Sequence, residues 1–537
     1  MNSKIFITAC TMLLTAATAQ AVNPFLPLWE HIPDGEPYVF DDPDNPGRQR
    51  VYIYGSHDML RTMYCGTDLV VWSAPVDSLD RWRYDGVIFK IENDGAGNRL
   101  QNEAGRPDVL YAPDVAVRTL PDGSKEYYLY PNNQGGGRNG MVAKSKRPDG
   151  PFEVINWNPD KPTETIGPLG FDPAVLVDDD GRVYAYWGFG RSHAAELDPA
   201  TMATVKPGTE IVCDMVTGLD TEGDGHFFEA SSIRKIGDKY VFIYSRRAPD
   251  GEFGLPQSNY TLAYAYSNNP LGPYTYGGTI IDARGRDTDE NGFSIPTATP
   301  NGNTHGSIAE IGGRWWVFYH RQTGVNEYSR QAMVAPIEVK VTPGKNGKVE
   351  ISEAEYTSEG FDTDGLDPMR RYPAAIASHF TGPTLAYQTY PDMHYSGPYF
   401  EPKYIENHAV ADPYNDSINV NPVINCTSGS ILGYKYYNFD KLPAGKDIAL
   451  ELEIVPSDTD GTIEVYTEAP WRGTPVPAGR FRLKGTADRT PRTVTATLSG
   501  IGALSGKHPL YLTFSSPVPG KSICSILRLQ FKVKSEE

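Results

Sequence analysis

Three acidic residues stand where rigid turns meet strands, and their surroundings differ enough to give three carboxylates different tasks. Asp34 lies in IPDGEP (32–37), Asp172 in GFDPAV (170–175) and Glu229 in HFFEASS (226–232). A carboxyl framed by Phe227 and Phe228 is hard to ionise, so its pKa rises, as a general acid at neutral pH requires. Asp34, among polar turn residues, is expected to stay charged and to act as a base. Glu36, two residues on, is a rival for that duty. Taken singly, each is also an ordinary turn acid, since Asp and Gly are common in turns.

Such groups need a scaffold that brings distant turns together, and the sequence repeats one. RQRVYIYGSHD (48–58), KEYYLYPNNQ (125–134), GRVYAYWGFG (181–190), DKYVFIYSRR (238–247) and GRWWVFYHRQ (313–322) share a pattern. Each opens on a polar or glycine turn, runs through a short aromatic and β-branched stretch, and ends in polar residues suited to line a cleft. The runs are too short and too β-branched for helices. Their spacing leaves room for a four-stranded sheet each, so residues 22–340 are expected to form a five-bladed β-propeller. A long β-sandwich is the plainer alternative. Gly-Pro-aromatic turns recur in 143–153 and 265–276. Residues 341–372, rich in Gly, Glu, Asp and Thr, read as a closing stretch and linker. Short strands over 373–537 (433–442, 448–456, 461–471, 492–501 and 509–517) predict a β-sandwich, making the chain all-β.

The length of 537 residues calls for two or more domains. A net charge of −18 argues against a nucleic-acid or anionic-membrane partner. Lys4, the apolar run from Ile5 to Ala17 and Ala19-Gln20-Ala21 read as a signal peptide (1–21) cleaved near Ala21, which predicts a secreted or periplasmic protein. The run is shorter than the ~20 residues of a membrane span. Cleavage leaves Cys65, Cys213, Cys426 and Cys524, with no metal-site spacing. Cys426 and Cys524 are expected either as a disulfide or as two buried thiols.

The order of motifs over about residues 23–370 resembles glycoside hydrolase family 43. NPFLP followed by PDGEP resembles the family's general-base segment, and APDV (112–115) its WAPD stretch, with Tyr111 where Trp is usual. FDPAVLVDDDGRVYAYWG (171–188) resembles the family's DPxxFxDDDGxxYLxWG signature. FFEASSIRK resembles the segment of the general-acid Glu, and GNTHGSIAEIGGRWWVFYHR (302–321) a late motif built on HGS and YHR. The resemblance implies a five-bladed propeller glycosidase working with inversion. It makes Asp34 the general base, Glu229 the general acid and Asp172 the group that adjusts the acid's pKa. Two departures stand out: Asp34 is followed by Gly35 rather than Pro, and Glu229 by Ala230-Ser231 rather than Gly-Pro.

By the same resemblance Asp114 is a substrate contact, and His305 faces the central channel, as a substrate neighbour or as the holder of a structural calcium; no cofactor is required. His57, Trp187 and Arg330 are candidate sugar contacts, since aromatic faces stack on sugar C–H and Arg donates in a fixed fork; Trp187 is equally a packing residue. Asp178-Asp179-Asp180-Gly181 reads as a β-turn. The C-terminal sandwich resembles a family 6-type carbohydrate-binding module, with Tyr436 and Trp471 as a sugar platform, or else buttresses the propeller. In the binding reading, a chain ending near residue 370 keeps its turnover of small glycosides. Together these features imply an exo-acting α-L-arabinofuranosidase or β-xylosidase on plant polysaccharide. The alternatives are a β-galactofuranosidase, a galactan-directed exo-hydrolase or an endo-arabinanase, and, from another class, a non-catalytic carbohydrate-binding propeller.

Overall fold

The structure, a computed structural model, describes residues 22–100, 107–219, 224–299, 303–383, 397–405, 407–408, 411–413 and 415–534; the signal-peptide expectation lies outside them. Five antiparallel sheets form the blades of a propeller. Blade 1 comprises Glu36–Asp41, Gln49–Tyr54, Asp68–Pro75 and Arg83–Lys90; blade 2, Asp114–Thr119, Lys125–Tyr130, Ala143–Ser145 and Glu153–Val154. Blade 3 comprises Ala174–Val177, Val183–Gly188, Ser192–Leu197 and Val212–Cys213; blade 4, Phe227–Ile236, Lys239–Ala248, Ser258–Ser267 and Tyr274–Asp282. Blade 5 comprises Ser307–Ile311, Arg314–Gln322 and Arg330–Ile337.

The five recurring segments are the second strands of the five blades. Covered by neighbouring blades on both faces, they carry apolar residues continuously rather than in alternation: Val183–Gly188 is buried throughout. Separate apolar clusters fill the wedges, such as the one joining Tyr52 and Val71 of blade 1 to Tyr127 and Leu129 of blade 2. The innermost strands begin near the axis, which sets the turns before them at one end of it. The ring closes through the N-terminal segment. The Asn23 side chain exchanges hydrogen bonds with the Val334 backbone (2.7 and 3.0 Å), and Phe25 N–H donates to Ala332 (3.3 Å).

A two-sheet β-sandwich follows. One sheet orders Tyr399–Phe400, Val423–Ile424, Cys524–Val533, Ile448–Pro456 and Arg492–Leu498; the other, His379–Thr381, Ile431–Asn438, Lys507–Ser515, Gly461–Tyr466 and Gly479–Leu483. The proposed disulfide is absent: Cys426 and Cys524 are both buried free thiols, and Cys426 turns its sulfur toward the Val423 carbonyl.

The seam between propeller and sandwich is dry and bonded. A single apolar cluster runs from Ile243 and Val317 of the blades to Leu450 and Phe531 of the sandwich. The stretch after blade 5 forms a hairpin, Val339–Val341 with Val349–Ile351, held by Tyr264 Oη and by Ala354 N–H on Ile280. Arg321 of blade 5, fully buried, donates to the carbonyls of Ala375 and Ala377 and lies 4.2 Å from the Phe400 ring. The two residues expected to form a sugar platform are used here instead. Tyr436 Oη donates to Glu355 (2.7 Å), and Trp471 donates to the Thr288 carbonyl (3.1 Å) while stacking on His379.

This seam revises the expectation for a shortened chain. A fragment ending at Arg371 would expose that cluster and leave the buried Arg321 guanidinium without its carbonyls, a loss of several kcal/mol. The fragment is expected to be insoluble, or to melt at least about 10 °C below the full chain in differential scanning fluorimetry. A soluble fragment with unchanged melting temperature would show that the seam adds nothing.

Candidate active site

At the axis, turns from blades 1, 3, 4 and 5 bring Asp34, Asp172, Glu229, His305 and Arg330 into one buried polar hub. Asp34, Asp172 and Glu229 are each at most 5% exposed. The backbone is bent to present them: Asp34, Asn132, Asp172 and Ala230 all have positive φ (61°, 41°, 48° and 67°) although none is glycine. Non-glycine residues in that region carry strain, and strain gathers at functional sites. Ala230 occupies the place where the family motif has Gly, which takes the same conformation without a Cβ penalty. Its N–H donates to Asp172 Oδ2 (3.0 Å), a bond that compensates the strained turn. Register shifts on both sides of Glu229 mark a bulge that turns its side chain out of the ladder.

Each carboxylate has distinct partners. Asp34 accepts from Ser56 Oγ (2.5 Å) and from the Arg330 guanidinium (3.0 Å), with His320 Nδ1 3.4 Å away. Burial alone would raise its pKa. Arg330, His320, His305 and Ser56 outweigh that and hold it below the usual carboxylate range. Arg330 is itself fixed by a two-pronged pair with Asp58 (2.9 and 2.8 Å).

Glu229 has the opposite surroundings. Its one hydrogen-bond partner among the described residues is Asn303 (3.4 Å), and burial, followed by the charge of Asp172, pushes its pKa up to about 8. Asp172 accepts from Asn132 (3.0 Å) and Ala230, and lies 3.4 Å from His305 Nδ1. Burial lowers the pKa of His305, but Asp172 and the other carboxylates overcome it and raise the value to about 9, so the ring is an imidazolium at neutral pH. Gly306, next in the chain, has no room for a side chain: a Cβ there would stand 1.9 Å from the Phe318 carbonyl.

Glu36, the rival base, lies deeper. It pairs with Arg234 of blade 4 (2.8 Å) and accepts from Ser232 (3.2 Å), leaving Oε1 without a partner. Asp114, expected at the substrate, is occupied instead by Tyr38 Oη and Val175 N–H (both 2.6 Å), which tie blade 2 to blades 1 and 3. Trp187 belongs to a wedge cluster between blades 2 and 3 and stacks on His193. His57 is turned away, with Nδ1 on Asp68 (2.7 Å) and Nε2 toward Glu30. Arg330, expected to hold sugar, holds Asp34.

Sequence reading missed Ser56, Asp58, Asn132 and His320, which orient the acids. All four stand at the polar ends of the repeated segments, the part of the pattern already suited to a cleft. It also missed an aromatic ridge beside the hub, where Tyr111, Phe171, Phe189 and Phe228 follow one another at 6.2, 5.3 and 5.1 Å between ring centroids. Phe189 is 59% exposed, and Phe171 and Phe228 directly precede Asp172 and Glu229.

Glycosyl hydrolases family 43 matches residues 47–341. A xylosidase/arabinosidase of Thermoclostridium stercorarium is 36% identical over 390 residues, covering 68% of this chain and 74% of the relative. An arabinoxylan arabinofuranohydrolase of Paenibacillus polymyxa is 30% identical, covering 55% of this chain and 46% of the relative. Among solved structures, a family 43 arabinoxylan arabinofuranohydrolase from Bacillus subtilis in complex with cellotetraose aligns at 21% identity and a TM-score of 0.44, covering 97% of this chain and all of that one. The family match extends over more than half of the chain and includes Asp172 and Glu229, so this protein is a member of glycosyl hydrolase family 43, a glycosidase that hydrolyses O-glycosidic bonds.

Proposed function

We propose that the enzyme removes L-arabinofuranose or D-xylose residues from plant arabinoxylan, with Glu229 as general acid, Asp34 as general base and Asp172 as the charge that keeps Glu229 protonated. One observation carries the assignment: within a single buried hub, one carboxyl is pushed up to about 8 while another is held below the usual carboxylate range. Two titrating groups displaced in opposite directions are what an acid–base pair at neutral pH needs. Glu229 would protonate the departing oxygen while Asp34 takes a proton from the attacking water. An inverting pair leaves about 6.5–9.5 Å for that water. Placement of the two groups on blades 1 and 4 is compatible with such a gap. Arg330 and Ser56 would keep Asp34 ionised and aimed.

The sugar assignment rests on the relatives, two of which are named for xylosidase or arabinofuranohydrolase activity. The aromatic ridge supports a polymer beyond the cleaved residue, since ring faces stack on sugar C–H surfaces. Release of arabinose from arabinoxylan and from an aryl arabinofuranoside is the direct test; release of galactose alone from an aryl galactofuranoside would favour that alternative. Export through the segment 1–21 completes the proposal, placing the enzyme where plant polysaccharide is met.

The reaction so written needs no metal. A structural calcium at His305 would use its buried Nε2, which lacks a partner. Calcium takes 6–8 oxygens, so water would have to supply most of them, and the ion would have to displace the His305 proton. A nitrogen of a protonated ring is a poor match for calcium, which prefers oxygen ligands.

Three outcomes follow. Glu229→Gln should lower turnover of arabinoxylan by about 10²–10⁴-fold and of an activated aryl glycoside much less, because a good leaving group needs little protonation. Equal losses on both would remove Glu229 from the acid role. In Asp172→Asn the loss of a negative charge makes Glu229 easier to ionise. The alkaline limb of the kcat/KM profile, set by an acid near 8, should therefore move to lower pH; an unmoved limb contradicts the proposed coupling. Phe189→Ala should raise KM for arabinoxylan several-fold with kcat unchanged, and leave the aryl glycoside untouched in both parameters; equal effects on both substrates would place the ridge at the cleaved residue.

A further inference from the structure

Blade 1 and the segment leading into the sandwich enclose a second set of buried titratable groups that hydrolysis does not use. Glu30, His57 and His408 present ligand atoms that all lie within 4.8 Å of one another, and each side chain is at least nine-tenths buried. His57 Nε2 stands 3.4 Å from Glu30 Oε1, and His408 Nδ1 2.9 Å from Glu30 Oε2. The two imidazoles come from opposite sides of the seam, His57 from blade 1 and His408 from the C-terminal segment.

The surrounding groups fix these side chains as the outer shell of a metal site would. Asp68 lies 2.7 Å from His57 Nδ1, which turns Nε2 toward Glu30. The 3.4 Å between His57 and Glu30 is close to the edge, about 3.3 Å, of a tetrahedron with metal–ligand bonds of about 2.0–2.1 Å, whereas His408 Nδ1 is at hydrogen-bond distance from Glu30 (2.9 Å) and would move outward to admit an ion. Glu30 is oriented further by Trp72 Nε1 (2.7 Å) and His31 N–H (2.9 Å). His31 stacks on Tyr404 of the C-terminal segment, and its buried Nε2 has no hydrogen-bond partner.

We propose that Glu30, His57 and His408 bind one divalent transition-metal ion of the zinc class, which clamps the C-terminal segment to the first blade. Two imidazoles and one carboxylate suit zinc, whereas calcium and magnesium prefer all-oxygen sets. An ion would displace the His57 ring proton, and the carboxylates of Glu30 and Asp68 would then balance its charge. The remaining coordination position falls to water.

The test uses the full-length, tag-free protein, stripped with a chelator and titrated with zinc chloride, with elemental analysis, melting temperature and the absorption of a cobalt(II) substitute as readouts. About one equivalent of zinc should bind and raise the melting temperature, and cobalt should give the visible bands of a tetrahedral site. His408→Ala should lose stoichiometric binding, and Asp68→Asn should weaken it by about 10–100-fold. Two results overturn the proposal: absence of stoichiometric zinc and of cobalt bands in the wild type, or undiminished binding in His408→Ala. Should His408→Ala fail to fold, Asp68→Asn together with the wild-type cobalt spectrum decides; unchanged affinity in Asp68→Asn then counts against the site.

Discussion

Several carboxylates cannot share a buried axis without cations or protons to separate their charges, and this requirement shapes the centre of the molecule. Arg330 meets it for Asp34, His305 for Asp172, and a retained proton for Glu229. The division is unequal by construction. Arg330 forms the stronger, forked pair with Asp58 and lends a single N–H to Asp34, so it stabilises the charged base without enclosing it. Asp172 serves two neighbours at once, keeping His305 protonated and Glu229 protonated by the same negative charge.

A second polar layer below repeats the solution with other residues. Glu36, Arg234, Tyr38 and Asp114 bond across blades 1, 2 and 4. Burial and the nearby Glu36 raise Asp114 to about 7, so this layer too holds its charges only with compensation. Its hydrogen bonds are turned inward, which makes it the floor on which the upper hub stands. The choice between Asp34 and Glu36 is thus a matter of depth along one strand. Two residues of rise separate the group facing the opening from the one facing the floor.

The blades were legible from sequence because strands covered on both faces must be apolar throughout, and five such runs with turn residues between them leave little choice of architecture. Asp172 and Glu229 were legible because rigid or apolar neighbours surround them, and Asp34 through its place in the turn before the first strand. The errors share one cause. His57 is chemically suited to sugar, as are Trp187, Tyr436 and Trp471, for which packing or buttressing was the equal reading, but only the packing of blade on blade, or of blade on sandwich, decides which way a side chain turns. His57 and Asp58 are adjacent in sequence and go to different places, one to the seam and one to the hub. Of the two readings of Cys426 and Cys524, the structure has the buried thiols: an oxidising compartment permits a bond, yet thiols enclosed in apolar surroundings stay as packing groups.

The clasp between Asn23 and Val334 has a consequence for how the protein is made. The residues that close the ring are made some three hundred residues before their partners in blade 5. Until then the opening segment has no strand to lie on, and Asp34 has no arginine beside it. The ring cannot be closed before blade 5 has been made, because the clasp needs both ends of the propeller. Chains that stop before blade 5 therefore hold Asp34 and Asp172 without the arginine and histidine that balance them.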